Sequence, residues 1–203
     1  MRYISFEGID GSGKSTALDE VARMYDIAHL PYVITKEPKG FFRDIILDPD
    51  NRYGLNEMAR MFLYQADRAI HAEFLSKYKT EDITILCDRG VMSTLVYQAI
   101  TTKQDLYDLM RMSELASNKT LPDEIILLHS SIEIARQRIN KRDDKKNYFD
   151  LKGDDFFRDV QVRYEKASVY LTRSYGIPVY DINTDSKTIE ETAFEIFNHL
   201  TTK

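Results

Sequence analysis

The chain has 203 residues, a formal net charge of −5, 43% apolar and 30% charged residues, and one cysteine. That length suits one domain with a sizeable core. The acidic balance excludes broad nonspecific nucleic-acid binding, and the lone Cys87 excludes an intrachain disulfide or a cysteine-based zinc site. No apolar run approaches the ~20 residues that span a bilayer, and the first residues read as a strand rather than a secretory signal, so a cytoplasmic protein without membrane partners is expected.

Tyr3-Ile4-Ser5-Phe6-Glu7 predicts a strand that breaks into Gly8-Ile9-Asp10-Gly11-Ser12-Gly13-Lys14-Ser15-Thr16 and then into a helical pattern over about 14–26. Gly8, Gly13, Lys14 and Ser15 satisfy GxxxxGK[ST]: backbone N–H groups cradle phosphate oxygens, the lysine reaches the β/γ-phosphates and the serine hydroxyl meets Mg²⁺. The helix beginning near Lys14 adds its unpaired N–H groups and positive dipole end. Gly8, Gly11, Ser12, Gly13, Lys14, Ser15 and Thr16 are therefore the candidate ATP-binding residues of this loop.

Pro31-Tyr32-Val33-Ile34-Thr35 predicts a second strand, Lys36-Glu37-Pro38-Lys39-Gly40 its exit loop, and Phe41 to Leu47 a short helix. Residues 55 to 75 carry an amphipathic helix on which Leu55, Met58, Ala59, Phe62, Leu63, Ala66, Ile70 and Phe74 are expected to face the core. A second stripe, Arg60, Tyr64, Asp67, Arg68 and His71, lines up on another side and is either a solvated face or a surface that stacks on and bonds a base. Ile83-Thr84-Ile85-Leu86-Cys87 predicts a central strand ending at Asp88-Arg89-Gly90, where ligands of open parallel sheets bind. A helix with Ser93, Thr94, Tyr97 and Gln98 follows, then another over about 105–116 and a strand at 124–128. Ser130 and Glu133 are expected to form a capping box. The next helix runs into Arg136, Arg138, Lys141, Arg142, Lys145 and Lys146, either a solvated basic end or a flap that closes on triphosphate. A helix at about 154–174, a strand at 178–182 and a helix at about 187–200 complete an α/β chain with helices on both faces of its sheet.

In order and spacing, Phe6 to Thr16, Glu37-Pro38, Ala66-Asp67-Arg68-Ala69, Asp88-Arg89 with Ser93-Thr94 and Tyr97-Gln98, and the basic flap resemble the thymidylate kinases, P-loop nucleoside monophosphate kinases. The resemblance implies a single kinase domain over 1–203: a three-layer α/β/α fold, a five-stranded parallel sheet and a short flap at about 141–153. It further implies a homodimer and the Mg²⁺-dependent reaction ATP + dTMP → ADP + dTDP. By position it assigns Lys14, Arg89 and Arg142 to catalysis and Ser15 and Asp88 to the metal. Arg136 falls to ATP, and Asp10, Glu37, Arg43, Tyr64, Arg68, Arg89, Thr94 and Tyr97 to dTMP. Three other readings stay open: a broader deoxynucleoside monophosphate kinase, since Lys39 and Gly90 depart from the family pattern; a deoxynucleoside kinase with Glu37 as base; and a non-catalytic ATP-binding switch.

Overall fold

The computed structural model describes residues 1–141 and 147–202; Arg142, Lys145 and Lys146 of the expected flap lie outside them. In chain order the elements are β1 (Arg2–Glu7), α1 (Lys14–Ile27), β2 (Tyr32–Lys36), α2 (Phe41–Ile46), α3 (Glu57–Ser76), β3 (Thr84–Asp88) and α4 (Val91–Thr102). They continue with α5 (Leu106–Ala116), β4 (Glu124–His129), α6 (Ile132–Asn140), α7 (Asp154–Tyr175), β5 (Val179–Asn183) and α8 (Ile189–Thr201). The five strands form one sheet in the order β2-β3-β1-β4-β5, and every pairing is parallel.

Strands of a parallel sheet are covered on both faces and read as continuous apolar runs. Ile125, Ile126, Leu127 and Leu128 of β4 are accordingly all 0–1% exposed. Because side chains alternate across a strand, Ile126 and Leu128 join Leu18 and Val21 of α1 and Ile196 and Leu200 of α8. Ile125 and Leu127 join Leu95 and Val96 of α4 and Tyr164 and Leu171 of α7 on the other face. β1 sits centrally, and its register with β3 sets Phe6 opposite Asp88. The loop after β1 and the Asp-Arg pair after β3 thus emerge side by side.

Two expectations are overturned. None of the eight apolar residues expected to face the core from α3 is fully buried, and Met58, Phe62 and Ile70 are 38%, 56% and 60% exposed. The polar stripe turns inward instead: Arg60, Asp67, Arg68 and His71 are buried. Periodicity identifies the faces of a helix, but burial follows from partners, and Glu37, Thr35 and Ser113 supply them. The cap of α6 is Ser131, whose hydroxyl accepts from Ile134 N–H, while the Ser130 hydroxyl donates to Asp185. Among the described residues no helix is long and apolar enough to cross a membrane.

Candidate active site

The loop between β1 and α1 bends through Gly8, Gly11 and Gly13, all at positive φ. Gly11 is tightly packed: a Cβ there would sit 2.3 Å from the Ala135 carbonyl oxygen of α6, so both its φ of 83° and the close approach demand glycine. Lys14 is buried and donates to the Ile9 carbonyl at 3.0 Å. Burial, then the nearby Arg89, lowers its pKa to about 8, while Asp10, Asp88 and Glu7 work the other way. At neutral pH the ammonium is still largely charged.

Ser15 donates to Asp88 Oδ2 at 2.6 Å, and Asp88 Oδ1 is buried without a hydrogen-bond partner among the described residues. A hydroxyl beside a carboxylate with spare lone pairs fits a hard cation that takes one or two protein oxygens and completes its shell with phosphate and water, as Mg²⁺ does. Among the described residues there is no group of three or more His, Cys, Asp or Glu side chains that would cage a metal by itself.

Arg89, a non-glycine residue at φ 72°, is held on several sides. It donates to Asp10 Oδ1 at 2.6 Å, Ser93 Oγ at 2.9 Å, Tyr164 Oη at 3.2 Å and the Gly8 carbonyl at 3.3 Å. Its guanidinium carbon lies 5.1 Å from the centroid of the Tyr97 ring. Beneath it, fully buried Glu7 accepts from Gly90 N–H, Ser93 N–H and the hydroxyls of Ser93 and Ser5, fixing the turn after β3. Burial raises the Glu7 pKa, and these donors restrain the rise. Gly90 is needed for space: a Cβ would stand 2.9 Å from Ser5 Oγ.

One wall of the cavity is built on the inward face of α3. Arg68 spends all three nitrogens: Nε and one terminal nitrogen on Glu37 Oε2 (3.0 and 2.6 Å), the latter also on Thr94 at 2.9 Å, and the other on Ser113 and Gln65. His71 Nδ1 donates to Glu37 Oε1 at 2.7 Å. Although burial works against its charge, Arg68 and then His71 bring the Glu37 pKa down to about 2. A carboxylate so firmly ionised, with both oxygens engaged, is a poor general base. Asp67 next to it moves up to about 6, first from burial, with Lys39 N–H opposing and Glu37 adding to the rise.

One cavity of about 360 Å³ gathers Asp10, Lys14, Ser15, Thr16, Glu37, Arg43, Tyr64, Arg68, Asp88, Arg89, Thr94 and Tyr97 from the expected set. Gly8, Gly11, Ser12 and Gly13 belong to the loop beneath. Arg136 is placed elsewhere: it donates to Asp150 O, Lys152 O and Asp154 on the segment leading into α7. Arg138, two residues on, is the described α6 arginine that reaches the loop, 3.3 Å from Gly11 O. Arg142 lies outside the described residues. Sequence reasoning missed Glu7 and Tyr164 as supports of Arg89 and Phe149 as a cavity wall. Glu7 carried a signal, a carboxylate ending an apolar strand run; Tyr164 and Phe149 reach the site from distant parts of the chain and left none.

Comparison with known proteins agrees with this geometry. The thymidylate kinase family model matches residues 6–178. The chain is 36% identical over 142 residues to the thymidylate kinase of Symbiobacterium thermophilum, covering 67% of this chain and 66% of that one. It is 31% identical over 182 residues to that of Caldicellulosiruptor saccharolyticus, covering 87% of each. With that of Prochlorococcus marinus it shares 29% identity over 207 residues, 96% of this chain and 95% of the other. With its phosphate loop, the Asp-Arg pair beside it and an aromatic, arginine-rich cavity wall on a five-stranded parallel sheet, this chain belongs to the thymidylate kinase family.

Proposed function

We propose that this protein transfers the γ-phosphoryl group of ATP to dTMP, giving dTDP and ADP. The observation that carries the reading is that one cavity is lined both by the phosphate-loop Lys14 and Ser15 with Asp88 and Arg89 and by Arg43, Tyr64, Arg68 and Tyr97. ATP would lie on Gly8, Gly11, Ser12, Gly13, Lys14, Ser15 and Thr16. Tyr64, half-buried on α3, offers a ring for a pyrimidine to stack on. The Gln98 amide lines the same space and pairs a donor with an acceptor, as the 4-oxo and N3–H edge of thymine requires. Tyr97, pointing its hydroxyl at Asp10 3.5 Å away, closes the sugar side and leaves a 3′-hydroxyl facing that carboxylate.

No general base is required, because a nucleoside monophosphate with a second pKa near 6 is already largely ionised at neutral pH. The work of the side chains is alignment and charge. Lys14 and Arg89 sit where negative charge accumulates in transfer, Arg43 lies beside the acceptor space, and Arg68 carries the wall. Ser15 and Asp88 would hold Mg²⁺, which supplies charge neutralisation at the phosphates. Met58, Phe62 and Ile70 on the outer face of α3 support a homodimer; a monomeric mass in light scattering would count against it.

The deciding experiment is ADP release from ATP and Mg²⁺ with dTMP, dUMP, other nucleoside monophosphates and thymidine as acceptors. Turnover fastest with dTMP is expected. Turnover with thymidine alone, or with no acceptor at all, would overturn the reading.

A further inference from the structure

Between α6 and α7 the described chain resumes along residues 147–153, a limb that lines the cavity at Asn147 and Phe149 and is tied to α6 at its other end. At its far end it is gripped from α6: Arg136 donates to the Asp150 and Lys152 carbonyls and to Asp154 at 2.9 Å, and its guanidinium stacks 4.1 Å over Phe157. Arg138 of the same helix contacts the phosphate loop at Gly11 O. At its near end Asn147 and Phe149 line the cavity, Phe149 lying 5.0 Å from Tyr97.

Tyr148, between those two, points the other way and meets the start of α3. Its N–H donates to the carbonyl of Leu47, itself a cavity-lining residue, at 3.2 Å. Its hydroxyl donates to Glu57 Oε1 and accepts from Lys152 Nζ at 2.9 Å. Its ring lies 3.8 Å under the guanidinium of Arg60, which is 1% exposed and donates to Ile46 O and to Asn51 at 3.2 Å. Arg60 Nε and Glu57 Oε2 are buried and make no hydrogen bond among the described residues; at 4.0 Å they form only a loose pair. The Tyr148 hydroxyl and ring therefore complete the surroundings of two groups that are costly to leave short of partners.

We propose that Tyr148, Arg60 and Glu57 form a clasp that fastens the return limb to the acceptor wall, so that occupancy of the ATP end and of the dTMP end become interdependent. This rests on the kinase reading for the identity of the two ligands, but not for the clasp itself. The contacts run without a gap from Gly11 through α6, the return limb and Tyr148 to Leu47. Tyr148 touches no reacting atom in this arrangement and is a positioning residue.

Two measurements decide it. Hydrogen exchange on the ligand-free protein reads the clasp directly: Tyr148→Ala is expected to speed exchange of the amides in residues 47–56 and 147–152 by about tenfold or more while leaving β1, β3 and β4 protected. Tyr148→Phe, which keeps the ring over Arg60, is expected to do so to a smaller extent. Unchanged exchange in Tyr148→Ala would show that no clasp exists. The second measurement is dTMP affinity by calorimetry with and without a saturating non-hydrolysable ATP analogue. The wild type is expected to show coupling within the usual range of about 5–150-fold, and Tyr148→Ala to bring it towards unity while analogue binding alone changes less than about twofold. Full coupling retained in Tyr148→Ala, or none in the wild type, would overturn the interdependence. A protein that binds no dTMP at all would refute the kinase reading instead, and the exchange result would still decide the clasp.

Discussion

On the proposed reading, the donor end of the cavity would meet its ligand with backbone: a glycine-bent loop on the central strand, with one lysine and one serine rising from the first turn of α1. The acceptor end would meet its ligand with side chains. Arg68, Glu37, His71, Thr94 and Ser113 form a buried, charged network spread over four segments of the chain. Backbone cradles are held by the sheet that carries them and tolerate loss of a side chain. Charged networks in a low-dielectric interior fail as units, because each member left alone is an uncompensated burial. Damage at the donor end should therefore show in turnover, and damage at the acceptor end in folding and affinity together.

The largest effect expected is on catalysis from Lys14→Ala. Turnover should fall on the order of 10³-fold or more, while the melting temperature stays within a few degrees of wild type. A variant that unfolds would break the contrast between the two ends. Next is Glu37→Gln, which leaves the buried Arg68 and His71 with a neutral partner and should cost about 3 kcal/mol in denaturant unfolding. The pH dependence sharpens this. The Glu37 pKa is depressed in the folded state from an ordinary 4.5 to about 2, so its stabilisation is complete above about pH 4.5 and is lost as pH falls through about 2. Glu37→Gln should flatten that acid limb, and an unchanged limb would remove Glu37 from the network. Smallest is Tyr64→Ala: dTMP affinity should drop about tenfold with ATP-analogue affinity unaltered. Equal loss of both ligands would mean that Tyr64 does not belong to the acceptor wall.

The same contrast explains what the sequence disclosed. The donor end was legible because its determinants are local: strand, glycines, Lys14 and Ser15 occur within one short stretch, and the fold class followed from alternating strands and helices. Asp88 and Arg89 were legible because they end a strand that read as central. The polar face of α3 was legible as a stripe but not in orientation. Arg60, Asp67, Arg68 and His71 read either as a solvated face or as a binding face, and partners from residues 35–51, α4, α5 and Tyr148 make it an interior one. Met58, Phe62 and Ile70 were given to the core for the same reason. The position of Arg136 depended on a return limb whose path no spacing encodes.

The central place of β1 has a consequence for how the protein is made. Its two neighbours are β3 and β4, which begin at Thr84 and Glu124. During synthesis at about 5–20 residues per second, roughly 6–24 s separate the emergence of Glu7 from that of His129. Throughout that interval the strand bearing the phosphate loop has at least one open edge. The phosphate loop is therefore among the last parts to gain a finished platform. A nascent chain stopped between Thr16 and β4 holds every residue of the loop but not the strand that covers the second edge of β1. It should engage chaperones rather than nucleotide.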